Sequence, residues 1–218
     1  WAQWTTALHG EYLKTLEPVS VPGSINMSEV MRWLRQTLPA DAIITNGAGN
    51  FSGWPQRFHQ YTGMRTQLAP TNGAMGYGVP SAVAASLHHP DRTVVCFSGD
   101  GDFMMTGQEL ATAMQYGATP IFIVVNNGMY GTIRMHQERE YPRRVHGTAL
   151  SNPDFAALAR AYGAIGEVVE RTDQFAPAFE RAMKAGKAAL IEVKLDPEAI
   201  TTRMSLSAIR EQALKNRT

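Results

Sequence analysis

Cysteine is almost absent from this sequence, which limits the covalent cross-links that the chain can form. Cys96 is the single cysteine among 218 residues, so the chain cannot form an internal disulfide. It lies inside an apolar run, where we interpret it as a core residue of a protein from a reducing compartment. We therefore expect a cytoplasmic location.

The chain also lacks an excess of charge and any long hydrophobic run. Its 20 Lys and Arg residues stand against 19 Asp and Glu residues, and the net charge of +1 gives no indication of nucleic-acid binding. No apolar run approaches the length of a membrane span, and the start of the chain lacks the basic segment and cleavage site of a secretory signal. The 44% hydrophobic content is that of a globular domain with one sizeable core.

From Ser24 onward, short apolar runs alternate with amphipathic segments. Continuous apolar strands that are separated by helices favour a parallel sheet with helices on both faces. We therefore predict an α/β fold with a doubly wound, mainly parallel sheet. The predicted strands are DAIITNG, TVVCFSG, PIFIVVNN, AIGEVVE and AALIEVKL.

The predicted helices lie between these strands and carry end signals. The first, SINMSEVMRWLRQTL, has a serine cap at Ser24 or Ser28, and the second starts at about Met75. A third helix starts near Thr106, and a fourth has Asn152 as its cap. The segment DQFAPAFERAMKAG is a further helix before the last strand.

We divide the chain into three parts. Residues 1–23 form a linker helix and its connection, residues 24–196 form the α/β domain, and residues 197–218 form a tail that is either a short surface helix or loose. Because the chain opens on tryptophan rather than methionine, we interpret it as a piece of a longer protein. The apolar stripe of the linker helix, which must lie against this domain or another one, consists of Trp1, Trp4, Leu8 and Tyr12.

Polar motifs stand at the ends of two successive predicted strands. Gly99, Asp100 and Gly101 follow one strand, and after 24 further residues Asn126 and Asn127 end the next. Each motif alone is a common turn, but this interval fits one crossover helix between parallel strands. Ligands bind outside the carboxyl ends of such strands, which lie about 4.8 Å apart when adjacent. We therefore expect both motifs to reach one bound ion.

The residue types at these strand ends favour a hard cation. A carboxylate, a side-chain amide and a backbone carbonyl in the GMYG turn are oxygen donors suited to Mg²⁺ or Ca²⁺. No lysine or arginine occurs between Arg92 and Arg134, so a diphosphate could not be neutralised there as it is in a P-loop. We predict that the carboxylate holds a cation and that the cation holds a diphosphate, with further amide donors from the helix near Thr106.

The segment GDGDFMMTGQELATAMQYGATPIFIVVNNGMYG resembles the cofactor motif of thiamine diphosphate enzymes. The wider match, from about Asn26 to Leu195, is similar to the C-terminal diphosphate-binding domain of the acetolactate synthase and 2-oxo acid decarboxylase group. The resemblance implies thiamine diphosphate and Mg²⁺ as cofactors. It makes the side chains of Asp100 and Asn127 and the backbone oxygen of Met129 the magnesium ligands.

The same resemblance implies further cofactor-binding residues. Glycines of the Gly-Asp-Gly motif allow a close backbone approach, and its Gly101, followed by Asp102, faces the diphosphate. The segment TNGAGNFSGW corresponds to a second diphosphate loop, and TNGAMGYGVPSAVAA to the cradle of the aminopyrimidine ring, with Met75 as an apolar wedge. An alternative for Met75 alone is a place in the core. The residues implied are Gly47, Gly49, Asn50, Phe51, Gly73, Met75, Gly99, Gly101 and Asp102.

A glutamate that serves the pyrimidine ring in family enzymes is missing from the match. In the family it belongs to a separate pyrimidine-binding domain, usually on the partner subunit. The chain is then half an active site, either the C-terminal part of a longer chain or a natural separate subunit, in a homodimer or homotetramer. Alone it should bind cofactor without turnover. Glu138 and Glu140 lie in a charged run that we expect to be solvated.

The resemblance implies an enzyme that acts on a small 2-oxo acid, by acetolactate synthase-like carboligation or by non-oxidative decarboxylation. The segment GTIRMHQEREYP corresponds to the family's mobile, substrate-facing region. Its His136 stands where acetolactate synthases usually have tryptophan, and it suits a proton donor near neutral pH. The alternative is an exposed loop histidine. The residues that either attract a carboxylate substrate or are plain surface charge are Arg134, Arg139, Arg143 and Arg144.

Two other classes of protein stay open at this point. A nucleotide-binding module with a Rossmann-like sheet would also use glycine turns, but NGAGNFSG lacks the Gly-x-Gly-x-x-Gly spacing. A structural assembly domain could dimerise through apolar helices without any chemistry.

Overall fold

A six-stranded sheet forms the centre of the computed structural model, which describes residues 1–217. Every strand pair is parallel, and the strand order is β2-β1-β3-β4-β6-β5. The order reverses between β1 and β3, which makes their carboxyl ends the topological switch point of the sheet. The strands are β1 (Ile43–Asn46), β2 (Gln67–Leu68), β3 (Val94–Gly99), β4 (Ile121–Asn126), β5 (Ile165–Val169) and β6 (Ala189–Lys194).

The helices that surround the sheet confirm the doubly wound α/β prediction. Short 3-10 turns at Asn50–Ser52 and Gly107–Glu109 complete the connections. None of the helices within residues 1–217 has the length and apolar character that a membrane span requires. The α-helices are α1 (Ala2–Thr15), α2 (Met27–Thr37), α3 (Gly53–Phe58), α4 (Gly78–His88), α5 (Asp100–Phe103), α6 (Leu110–Tyr116), α7 (Gly131–Glu140), α8 (Phe155–Ala161), α9 (Thr172–Lys184) and α10 (Leu206–Lys215).

Both faces of the sheet are covered because alternate strand residues point to opposite sides. Phe97 and Ile123 belong to the core under α2, α3 and α9, whereas Cys96 and Phe122 belong to the core under α4, α6 and α8. Cys96 is fully buried, as predicted, and burial raises the pKa of its thiol to about 12. The sheet is therefore apolar on both sides, and polar strand residues collect at its ends.

Two predicted helix caps are wrong. The side chain of Asn26, rather than Ser24 or Ser28, accepts the backbone N–H groups at the start of α2. The cap of α8 is Asp154, which accepts the N–H of Ala157, and not Asn152. In both cases the cap lies two residues from a predicted position, because several residues that can serve as caps stand close together.

The start of one other helix also needs correction. α4 begins at Gly78 rather than near Met75. A separate short helix, α5, follows β3 directly. The predicted start near Thr106 is confirmed, because Thr106 precedes the 3-10 turn Gly107–Glu109, which continues into α6 at Leu110. The segment that corresponds to the family's mobile, substrate-facing region is helical as α7.

The linker helix is present as α1, but it does not pack on the α/β domain. No residue of α1 is buried, and its apolar stripe faces outward, with Trp4 73% and Leu8 62% exposed. Of the two surfaces proposed for this stripe, the present domain is therefore excluded. The division at residues 23 and 196 stays a prediction.

The tail contains a packed helix, α10, which lies against α7. Leu206 and Ile209 of α10 form a small apolar cluster with Ile200, and Met129 and Met135 pack against it. This arrangement confirms the surface-helix alternative for the described part of the tail.

Glu138 is buried at the junction of α7 and α10, so the expectation that it is solvated is wrong. Its carboxylate pairs with Arg134 and, at 2.8 Å, with Arg210, and it accepts the N–H of Arg143 at 3.0 Å. Burial alone would raise the pKa of Glu138, but the hydrogen bonds from Arg210, Arg143 and Arg134 outweigh it and lower the pKa to about 2. Glu138 thus links α7 to helix α10 of the tail through a buried ion pair with Arg210.

Replacing Glu138 by glutamine should destabilise the protein, because Arg134 and Arg210 would lose their buried counter-charge. We expect the free energy of unfolding at pH 7 to fall by about 3 kcal/mol. A depressed folded pKa stabilises the protein above the ordinary pKa of 4.5, and this contribution is lost as the pH falls toward about 2. Urea unfolding of parent and variant should therefore converge as the pH is lowered. Glu140→Gln, at an exposed pair, is the control; equal losses in the two variants would contradict the assignment.

Candidate functional site

A cavity of about 230 Å³ opens at the carboxyl ends of β1, β3 and β4. Three connections supply most of its walls, residues 48–51 after β1, residues 99–102 at the end of β3 and residues 127–133 after β4. The segment before α4 and the segment after β6 supply the rest. β3 and β4 are adjacent and parallel, with Gly99 opposite Val125, which confirms the predicted neighbourhood of the two polar motifs. The cavity therefore lies beside the switch point, where α/β sheets bind ligands.

Asp100 lies at the first position after β3 and is only 3% exposed. Its Oδ1 accepts the N–H of Gly101 at 2.9 Å, and its Oδ2 accepts the N–H of Gly128 and the side-chain amide of Asn152, both at 2.8 Å. Burial raises the pKa of this carboxyl, and the hydrogen bonds from Asn152, Gly101 and Gly128 oppose that rise. A carboxylate is thus held at the cavity wall by N–H donors and by no basic side chain.

The turn after β4 brings Asn127 and Met129 to the same cavity. The Oδ1 of Asn127 accepts the N–H of Met129 at 3.2 Å, and Gly128 between them has a φ of +71°, which glycine adopts without strain. Met129 forms an isolated antiparallel bridge with Ala149. The turn is therefore fixed at both of its sides, against Asp100 and against the segment that precedes α8.

The donor set at this wall fits a hard divalent cation. Asp100 and Asn127 offer side-chain oxygens and the turn offers backbone carbonyls, and all of these are ligands that Mg²⁺ accepts. Within residues 1–217 there is no cluster of three or more His, Cys, Asp or Glu residues that could hold a metal by itself. Further ligands would have to come from water or from a bound anion.

Asp102 lines the cavity, and its Oδ1 is committed to the protein, whereas its buried Oδ2 has no hydrogen-bond partner within the described residues. Oδ1 accepts the N–H of Gly76 at 2.7 Å and that of Ala48 at 3.3 Å, and burial raises the pKa of the group. A Cβ on Gly47 would lie 2.0 Å from the same oxygen. Asp102 therefore ties the connections after β1 and before α4 to the end of β3.

The connection after β1 packs closely against β3 and α7. A Cβ on Gly49 or on Gly99 would each lie 2.7 Å from the ring of Phe51, so the ring occupies the space that both glycines leave. The N–H of Asn50 donates to the hydroxyl of Thr132 at 2.9 Å, and that hydroxyl donates to Asn50 Oδ1 at 3.0 Å. This loop and the start of α7 therefore form one wall.

The remaining predicted residues divide between the cavity and its surroundings. Gly73 and Met75 line it from the segment before α4, and Gly101 lines it beside Tyr130. Gly47 is absent from the lining and acts through Asp102 instead.

His136 is not brought to the cavity. It is exposed on α7, where its Nδ1 lies 2.6 Å from a guanidinium nitrogen of Arg139. The neighbouring Arg134 is occupied by the buried carboxylate of Glu138. A proton-donor role for His136 stays a prediction that the geometry of this chain does not favour.

Sequence reasoning missed Asn152 and Thr132 as parts of the site. Asn152 looked like a helix cap, and its link to Asp100 joins residues 52 positions apart. Thr132 carries no motif. The one available signal was the neighbouring Asp154, which could supply the cap and leave Asn152 for another role.

Comparison with known proteins decides the family. The model of the family "Thiamine pyrophosphate enzyme, C-terminal TPP binding domain" matches residues 47–193, which contain the ends of β3 and β4 and the connection after β1. The chain belongs to the thiamine pyrophosphate enzyme family. Thiamine pyrophosphate is another name for thiamine diphosphate, and the matched unit is the domain that binds it.

The relatives of this thiamine pyrophosphate domain include acetolactate synthases. It is 32% identical over 169 residues to the acetolactate synthase isozyme 2 large subunit of Escherichia coli, covering 77% of this chain and 31% of that protein. It is 36% identical over 177 residues to the acetolactate synthase large subunit of Parasynechococcus marenigrum, covering 80% of this chain and 28% of that protein. The chain therefore spans about a third of the length of these relatives.

A similar solved structure is also that of a thiamine diphosphate enzyme, and its described activity differs from that of the acetolactate synthases. The thiamine diphosphate-dependent 4-hydroxybenzoylformate decarboxylase of Rhodococcus jostii superposes with a TM-score of 0.75 and 31% identity, covering 83% of this chain and 34% of that one. The fold is therefore shared by a decarboxylase as well as by relatives of the synthase type.

Replacing Gly47 by alanine should loosen the site, because the new Cβ would overlap Asp102 Oδ1. Overpacking of this kind costs about 1–3 kcal/mol of unfolding free energy, and we expect a loss in this range by urea denaturation. Gly10→Ala, in the middle of α1 with nothing within 4 Å of its Cβ, is the matched control and should not destabilise. An unchanged midpoint for Gly47→Ala would show that Asp102 is free to move.

Proposed function

We propose that this domain holds thiamine diphosphate through Mg²⁺ and serves an enzyme that joins 2-oxo acids in the manner of acetolactate synthases. The observation that carries the proposal is the single cavity wall formed by Asp100 and the turn Asn127–Met129 from adjacent strands. The Mg²⁺ ligands are the side chains of Asp100 and Asn127 and the backbone oxygen of Met129.

The absence of basic side chains from the cavity lining supports a metal-mediated contact. No lysine or arginine of the described chain lines this cavity. A diphosphate carries several negative charges, and beside the buried Asp100 it would be repelled without a cation between them. Mg²⁺ usually completes its coordination with water and phosphate oxygens, so the cation and the diphosphate would each complete the site of the other.

The other walls suit the remaining parts of the cofactor. We assign the diphosphate to backbone at Gly49, Asn50 and Phe51 on one side and at Gly99, Gly101 and Asp102 on the other, with Gly47 in support. Gly73 and Met75 would face the aminopyrimidine ring. An aliphatic wall of Ile133, Leu195 and Ile200 offers a dry surface for the rest of the molecule.

The bound cofactor would supply a nucleophilic carbon and an electron sink for 2-oxo acids. This chain contributes position, charge balance and exclusion of water. Its cavity lining contains no glutamate within the described residues, so the pyrimidine ring needs a group from elsewhere. We propose a pyrimidine-binding domain on the same chain or on a partner chain, in a homodimer or homotetramer located in the cytoplasm.

An exposed apolar rim supports this partnership. Tyr77 is 38%, Met104 52% and Met105 48% exposed, and Met105 lies against Gly76 at the edge of the cavity. Apolar side chains that cluster beside a polar site mark contact surfaces more often than free ones. The proposed second domain would cover this rim and close the cavity.

Decarboxylation without carboligation is the second candidate. The Rhodococcus structure is described as a decarboxylase, and by the family resemblance His136 stands where synthases usually have tryptophan. Against it stand the several relatives that are described as acetolactate synthases. Both reactions release CO₂ from a 2-oxo acid and consume one proton, and they differ in whether an aldehyde leaves or a second 2-oxo acid is added.

The cofactor proposal predicts stabilisation that needs both ligands. Thiamine diphosphate and Mg²⁺ together should raise the melting temperature of the chain, and a ligand at 100 times its Kd contributes about 2.7 kcal/mol. Either ligand alone should give a much smaller rise. Asp100→Ala should abolish the joint effect, whereas Asp91→Ala, at an exposed position, should keep it. A joint shift that survives Asp100→Ala would refute the metal site.

The choice of reaction can be read from products. We expect the protein, assembled with its pyrimidine-binding domain, to convert two pyruvate molecules and a proton to one acetolactate and one CO₂. Acetaldehyde in place of acetolactate would favour the decarboxylase candidate. Colorimetric assay for acetolactate beside enzymatic assay for aldehyde separates the two.

A further inference from the structure

The side-chain amide of Asn152 makes two hydrogen bonds with one nitrogen. Nδ2 donates to Asp100 Oδ2 and to Asn126 Oδ1, both at 2.8 Å. An amide nitrogen carries two N–H groups, so both of its donors are used at once. Asn152 therefore joins the ends of β3 and β4 from outside the sheet.

These contacts make the two oxygens of Asp100 unequal. Oδ2 receives the N–H of Gly128 and the amide of Asn152, both at 2.8 Å, while Oδ1 receives the N–H of Gly101 at 2.9 Å. The N–H of Met129 also acts on this carboxyl, without a hydrogen bond as short as these three. Each carboxylate oxygen has about two acceptor positions. The remaining capacity of the group thus lies on Oδ1.

The orientation of this network is fixed from the interior of the sheet. Glu192 of β6 is fully buried, and its Oε1 accepts the Asn126 amide nitrogen at 2.7 Å. Because a carboxylate only accepts, Asn126 must turn its nitrogen toward Glu192 and its oxygen toward Gly128 and Asn152. Asn152 in turn meets two oxygens, and only its nitrogen can satisfy both.

We propose that Asn152 is a positioning residue for the cation site: it saturates Asp100 Oδ2 and so directs Oδ1 to the metal. This inference rests on the proposed function, because it requires that Asp100 hold a cation. Its action is indirect, since Asn152 does not line the cavity within the described residues. Asn152 is not needed to cap α8, because the side chain of Asp154 already caps that helix. Helix capping therefore does not account for the contacts of Asn152.

Two variants remove the amide with different effects on packing. Asn152→Ala deletes the side chain, and Asn152→Leu keeps its size without any donor. Asp154→Ala is the matched control, because it removes a hydrogen bond two residues away and destabilises α8 without touching Asp100. Circular dichroism and melting temperature without ligands report whether each variant is folded.

The decisive measurement is a Mg²⁺ titration of the 218-residue chain at saturating thiamine diphosphate, by calorimetry. Loss of groups that orient metal ligands weakens metal affinity by about 10- to 100-fold, and we expect a loss of this size in both Asn152 variants. The control should lose melting temperature and keep its apparent Kd for Mg²⁺ within about twofold. A merely structural role for Asn152 would give the pattern of the control.

The outcomes separate this inference from the proposed function. If the parent chain binds with Mg²⁺ dependence and the Asn152 variants match it, the positioning role is overturned and the proposed function stands. Equal weakening in Asp154→Ala would also overturn the role, because it would reflect a general disturbance of the loop. If the parent chain shows no Mg²⁺-dependent binding, the proposed function fails and the positioning role fails with it.

Discussion

The buried carboxylate of Asp100 lies where the adjacent parallel strands β3 and β4 end. The rest of the site depends on how the negative charge of this group is stabilised. Burial disfavours the ionised form of Asp100, and four N–H donors, from Asn152, Gly101, Gly128 and Met129, oppose the penalty without neutralising the charge. A lysine at this point would complete the ion pair and leave no reason to recruit a cation. The charge and the donor groups of this wall suit the cation that we propose for it.

Distant segments are brought to this wall by hydrogen bonds between polar side chains and backbone. Asp102 ties the connection after β1 to the connection before α4, and Asn152 ties the ends of β3 and β4. Thr132 joins Asn50 to α7. Each contact links segments that the sheet alone would leave independent, so the cavity keeps its shape through side-chain bonds as well as through strand pairing.

The sequence predicted the periodic parts of this molecule well. The five longer strands, the parallel doubly wound sheet and the adjacency of the two polar motifs follow from apolar runs and their spacing, and all are present. The two-residue strand β2 has no apolar run of its own, and it was missed. Glu138 and Asn152 were misjudged because their partners, Arg210 and Asp100, lie 72 and 52 residues away. Local patterns carry no signal for such pairs, and only the closed fold reveals them.

Helix α10 supports the aliphatic part of the cavity wall from the side that faces away from the cavity. Ile200 lines the cavity on one side and packs against Leu206 and Ile209 of α10 on the other. Proteolytic removal of α10 would expose the far side of the aliphatic wall to water. It would also remove Arg210, one of the two arginines whose side chains pair with Glu138.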